Sequence, residues 1–107
     1  MNPSEQPQDS FEQAFDIDFF RALGDESRLA VFLVLAAEHQ PITVTEIAGK
    51  TGKNIAAVSQ QLQKLKQAGL VTCERSGKLR LYRMQAEYVR GKIEATIRYL
   101  ETVSPTQ

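Results

Sequence analysis

Two helical patterns set end to end between Thr43 and Gly69 leave this chain few folds to choose from. Thr43 and Glu46 stand in the Thr-x-x-Glu spacing of a capping box, which starts a short helix over about 44–51, and Gly52 ends it. After a short link, Asn54 is suited to cap a second helix in which Val58, Leu62 and Leu65 recur at i, i+4 and i+7. The opposite face carries Ala56, Ala57, Gln60, Gln63, Lys64 and Gln67, with Ser59 at its edge, and Gly69 closes the helix in a left-handed conformation. Two helices joined by a tight turn make a helix-turn-helix unit whose second member presents a polar, uncluttered face.

The flanking segments complete one domain. Residues 1–9, with Pro3 and Pro7, read as a disordered tail, and residues 104–107 as a frayed end. From Ser10, Phe11, Phe15, Phe19 and Leu23 follow a four-residue spacing, so a helix over 10–23 is expected with part of its aromatic stripe meeting another surface. Gly24 breaks it, and Asp25 caps DESRLAVFLVLAAEH, whose run Leu29 to Leu35 predicts a central buried helix with His39 at its C-terminal, dipole-favoured end. LVTCER and KLRLYRM read as a hairpin about Ser76-Gly77, a basic wing carrying Arg75, Lys78 and Arg80; its alternation leaves open which face holds Cys73. Residues 86–103 place Val89, Ile93, Ile97, Leu100 and Val103 on one stripe of a closing helix. The expected fold is therefore mainly α with a small β-hairpin, in the order α-α-α-α-β-β-α.

Charge says more about partners than the net value of zero does. Residues 1–49 hold two cations against nine acids, a balance of −7, whereas residues 50–83 hold eight cations against Glu74 alone, a balance of +7. An anion responds to the local potential within a Debye length of about 8 Å, so the cationic third is what a polyanion would meet. No apolar run approaches the roughly 20 residues of a membrane span. MNPSEQPQDS is no signal sequence, and a cytoplasmic, nucleoid-associated protein is expected. One histidine and one cysteine supply neither a metal cluster nor an intramolecular disulfide. No nucleophile–base pair, phosphate loop or carboxylate constellation suggests an enzyme, and no cofactor is implied.

ALGDESRLAVFLVL, VTEIAGKTG, VSQQLQKLKQAGLV and LRLYRM, in that order between about Phe20 and Met84, resemble the ArsR/SmtB family of bacterial winged-helix repressors. The resemblance implies a homodimer, paired through the helices at 10–23 and 86–103 by Phe11, Phe15, Phe19, Val89, Ile93, Ile97 and Leu100. It implies two recognition helices in successive major grooves of a partly palindromic operator, and repression by blocking promoter access.

Family position and helical phase direct Ser59 and Gln60 to base edges, with Ala56 able to meet a thymine methyl and Gln60 suited to adenine, hence an A/T-containing half-site. Lys53, Asn54, Lys64, Arg75, Lys78 and Arg80 are the backbone and wing candidates. Many members sense metals through a Cys-x-Cys-type pair where this chain has Thr43-Val44-Thr45, or through histidine and acid ligands on the closing helix, which here has no histidine. Neither usual metal site assembles. Cys73 reads as a small filler beside the wing, with redox sensing as its alternative use. An effector is left open: a small organic ligand between first and last helices, a modification of Cys73, or none. The competing function is a winged-helix module that binds protein through the Phe11/Phe15/Phe19 face and the closing helix.

Overall fold

The computed structural model describes residues 15–103, and Asp16 sets its first boundary. In extended backbone, Asp16 accepts the Phe19 N–H at 3.0 Å and so caps α1, Ile17–Leu23. Phe15 and Asp16, which fall inside the helix expected over 10–23, are therefore not helical. An aspartate competes for backbone N–H groups and is better used as a cap than inside a helix, so Phe15 precedes α1 and stacks on Phe20, ring centroids 4.6 Å apart. Phe11, the rest of 10–14 and both expected tails lie outside the described residues.

Gly24 ends α1, and Asp25 caps α2, Glu26–Ala36, by accepting the Arg28 N–H at 2.9 Å. Val31, Phe32 and Leu35 are buried, but α2 is not buried all round: α1, α3, α4 and β3 cover one side, and Leu33 is 55% exposed on the other. The helix stops at Ala36, so His39 lies beyond the last turn, where the dipole acts, and is exposed.

A two-residue strand, β1 (Ile42–Thr43), leads into α3, Val44–Thr51, whose start is the expected capping box: Thr43 Oγ1 accepts the Glu46 N–H at 3.2 Å while Glu46 accepts the Thr43 N–H at 3.1 Å. Gly52, at φ +72°, closes α3 as only glycine does without strain. α4 spans Ile55–Gln67 and buries Val58, Leu62 and Leu65, the stripe read from the sequence. Gly69, at φ +84°, turns the chain so that the Leu70 N–H reaches Leu65 O at 3.0 Å and β2, Val71–Ser76, begins.

β2 and β3 (Leu79–Met84) pair antiparallel from Val71↔Met84 to Ser76↔Leu79, leaving Gly77-Lys78 as the turn. Gly77 has φ +63°, the positive angle that a II′ hairpin needs at its first central position. The wing is larger than a hairpin. β1 joins β3 through Ile42↔Tyr82 and Thr43↔Leu81, making a three-stranded sheet in the order β1-β3-β2.

The core lies where α2, α3, α4 and the sheet converge: Val31, Ile47, Val58, Leu62, Leu65, Leu70 and Val71 are essentially inaccessible. Each such side chain contributes about 1.5–3 kcal/mol of burial free energy. α5, Ala86–Val103, has the expected bounds but is anchored mainly near its start, through Val89 in the core and Lys92 on Asp16.

Candidate nucleic-acid interface

Because Val58, Leu62 and Leu65 point into the core, Ala56, Ser59, Gln60, Gln63, Lys64 and Gln67 share the exposed side of α4. The position of that face is fixed at its root. Asn54 Oδ1 accepts the Ala57 N–H at 2.7 Å, which commits that oxygen to the cap of α4 and orients the amide nitrogen as its donor. Lys53, expected on the DNA backbone, is half-buried, and its Nζ lies 3.3 Å from Ser27 Oγ.

Arg75, Lys78 and Arg80 are all exposed on the wing. The register sets Arg75 directly opposite Arg80, and like charges in cross-strand positions repel. Among the described residues, ion pairs join Arg21 to Asp18, Lys50 to Glu38, Arg90 to Glu94 and Lys92 to Asp16. Lys64, Lys66, Arg75, Lys78, Arg80 and Arg83 are in none of them. Cations that form no ion pair among the described residues thus accompany an open polar helix face, a composition complementary to a phosphate backbone.

Cys73 shares the inward face of β2 with Val71 and stands opposite Tyr82, which settles the face that the alternation left open. Burial, and then the adjacent Cys73, push the Tyr82 hydroxyl above its ordinary pKa. Both groups belong to the packing under the wing.

The closing helix offers a second surface. Ile93, Ile97, Leu100 and Val103 are exposed along α5, as is Ile17 on α1. Two residues expected there are elsewhere: Phe19 is 1% exposed and Val89 7% exposed, both packed inside the protomer. Phe19 turns inward with Ala22 into the core cluster, against which Leu23 also packs, and its ring meets Tyr88 edge-on at 6.3 Å. Phe15 is half-buried on Phe20.

Beyond Lys53–Ser27, three further ties are absent from the sequence reading. Lys92 Nζ sits 2.6 Å from Asp16 Oδ2, which draws the Asp16 carboxyl below its ordinary pKa and raises the Lys92 ammonium. Arg28 donates from Nε to Ala22 O and from a terminal nitrogen to Arg21 O, capping the end of α1. Gln85 holds Gly69 O at 3.0 Å, joining the start of α5 to the end of α4. Only Asp16 carried a signal, an N-cap residue one position before an apolar helix pattern.

Comparison with known proteins agrees with this architecture. The helix-turn-helix domain family matches residues 23–74. The HTH-type transcriptional regulator KmtR of Mycobacterium tuberculosis is 35% identical over 89 residues, covering 83% of this chain and 67% of its own. The chain belongs to the ArsR family of winged helix-turn-helix transcriptional regulators. The cadmium resistance transcriptional regulatory protein CadC of Listeria innocua is 31% identical over 85 residues, covering 79% of this ArsR-family chain and 71% of the relative. The solution structure of a homodimeric winged helix-turn-helix DNA-binding domain from Mycobacterium bovis, a possible ArsR-family regulator, superposes with a TM-score of 0.67 at 26% identity, covering 99% of this chain and 97% of that one.

Membership makes this a DNA-binding transcriptional regulator and not an enzyme. Among the described residues, no helix is long and apolar enough to cross a membrane.

Proposed function

We propose that this ArsR-family regulator is a dimeric repressor that reads a partly palindromic operator and does not sense metal through the family's usual sites. The observation that carries the reading is the set of cations from Lys64 to Arg83, in no ion pair among the described residues, together with the exposed polar face of α4. Ser59 and Gln60 meet base edges, Ala56 packs on a thymine methyl, and Lys64, Arg75, Lys78 and Arg80 hold phosphates. Asn54 adds a contact through its amide nitrogen. Ile17, Ile93, Ile97 and Leu100 pair two copies, so that both α4 helices face one side of a duplex; the homodimeric relative from M. bovis supports that assembly.

The donor set argues against the usual metal chemistry. Thr43 Oγ1 is engaged in the capping box, Thr45 offers only a hydroxyl, and α5 has neither histidine nor cysteine. Repression would then be relieved by an organic effector between the terminal helices, by modification of Cys73, or by falling protein abundance.

Gln60→Ala tests the base-reading role. A panel of operators mutated one position at a time should show preference lost at a single A·T pair, worth about 1–3 kcal/mol of discrimination. An equal loss across every sequence would assign Gln60 to the backbone instead.

A further inference from the structure

We propose that Lys53 is a positioning residue for DNA recognition: its ammonium, held by Ser27 in the first turn of α2, fixes the turn from which α4 starts. The inference rests on the DNA-binding reading above. It is carried by the hydrogen bonds of four consecutive residues. Thr51 Oγ1 donates to Ile47 O at 2.9 Å and accepts the Lys53 N–H at 3.3 Å. Gly52, left-handed, donates its N–H to Ala48 O at 2.9 Å. Asn54 accepts from Ala57.

Those four hydrogen bonds run within the helix-turn-helix unit, to α3, to Lys53 or to α4. Lys53 carries the tie out of it, to a residue 26 positions earlier in the chain. Ser27 adjoins Arg28, whose guanidinium holds the carbonyls of Arg21 and Ala22 at the end of α1. The first turn of α2 therefore grips the helix that leads to the pairing surface on one side and the root of the recognition helix on the other. Burial separates Lys53 from the other basic candidates: Lys64, Arg75, Lys78 and Arg80 are exposed, whereas Lys53 is half-buried. Tilting α4 at its root would misplace Ser59 and Gln60 together, so a lost strut weakens recognition with no phosphate contact removed.

An ammonium has three donors, and two remain beyond the Ser27 bond, so affinity alone does not separate strut from phosphate ligand. The salt dependence does. In the full chain, Ser27→Ala, Lys53→Met and the double variant are compared for duplex affinity across salt concentrations, and for amide exchange at residues 52–57 without DNA. The strut predicts that each single variant weakens operator binding about three- to ten-fold with the wild-type salt slope, and that the double variant is no weaker than Lys53→Met. Exchange at the turn should rise in all three.

A slope smaller by about 0.9 in Lys53→Met, with Ser27→Ala binding as wild type, would make Lys53 a phosphate ligand and overturn the proposal. Unchanged exchange at the turn would overturn it as well. Failure of the unaltered protein to bind any duplex would overturn the functional reading itself, and the exchange comparison would still decide whether the strut exists.

Discussion

Asp16 serves two partners with one carboxylate. It caps α1 through the Phe19 N–H and binds Lys92 on α5, tying the first described helix to the last. The two roles separate by substitution. Asp16→Asn keeps a cap and loses the ion pair; Asp16→Ala loses both and should cost about 1 kcal/mol more, a further fall of roughly 4–8 °C in melting temperature. The pH dependence has a definite sign. The folded Asp16 carboxyl titrates below its unfolded value, chiefly through the Lys92 hydrogen bond, so its stabilisation is present above the unfolded pKa and is lost as pH falls through the folded one. Lys92 is raised, chiefly by the same bond, so its share is present below its unfolded pKa and is lost as pH rises through the folded one. Melting curves from acid to alkaline pH should show Lys92→Met flattening both limbs. An unchanged acid limb would mean that Asp16 is not held by Lys92.

Among the elements, the wing shows most directly how an element can be arranged for a partner instead of for itself. Arg75 and Arg80 face each other across β2 and β3 with Lys78 at the turn between them. Arg80→Gln should leave the free protein as stable or more stable by roughly 0.2–1 kcal/mol at low salt, while weakening binding to all duplexes similarly and reducing the salt slope. Thermal melts with salt-dependent titrations check both halves; a clear loss of stability without DNA would give Arg80 a structural role. The caps that bound α2, α3 and α4 were legible because each depends on local residue types: Asp25, the Thr43–Glu46 box, Asn54 and Gly69. What sequence left hidden is non-local. A two-residue β1 has no alternation to read, and Ser27–Lys53 spans 26 positions. The inward turn of Phe19 is non-local too: a four-residue spacing defines a stripe but not whether it meets the protomer's own core or another surface, and here Phe19 and Leu23 meet the core.

Across the whole molecule, exposed polar and apolar surfaces divide two tasks. The core joins α2, α3, α4 and the sheet, while α5 beyond Val89 carries Ile93, Ile97, Leu100 and Val103 outward from a molecule of 55 × 29 × 22 Å. A protomer of this size gains little by leaving Ile93, Ile97 and Leu100 in water, and the proposed pairing of two copies would bury them. In that assembly, cations of the middle third would lie on both protomers. On the proposed function, two copies paired through α5 and α1 bind one duplex. Sedimentation of the full chain with a labelled duplex from upstream of its own coding sequence tests it most directly, with Ile97→Glu run in parallel. Two chains per duplex for the unaltered protein, with a monomeric Ile97→Glu that binds far more weakly, is the predicted result; a monomer saturating the duplex one to one, or an Ile97→Glu protein that still pairs and binds as before, would contradict it.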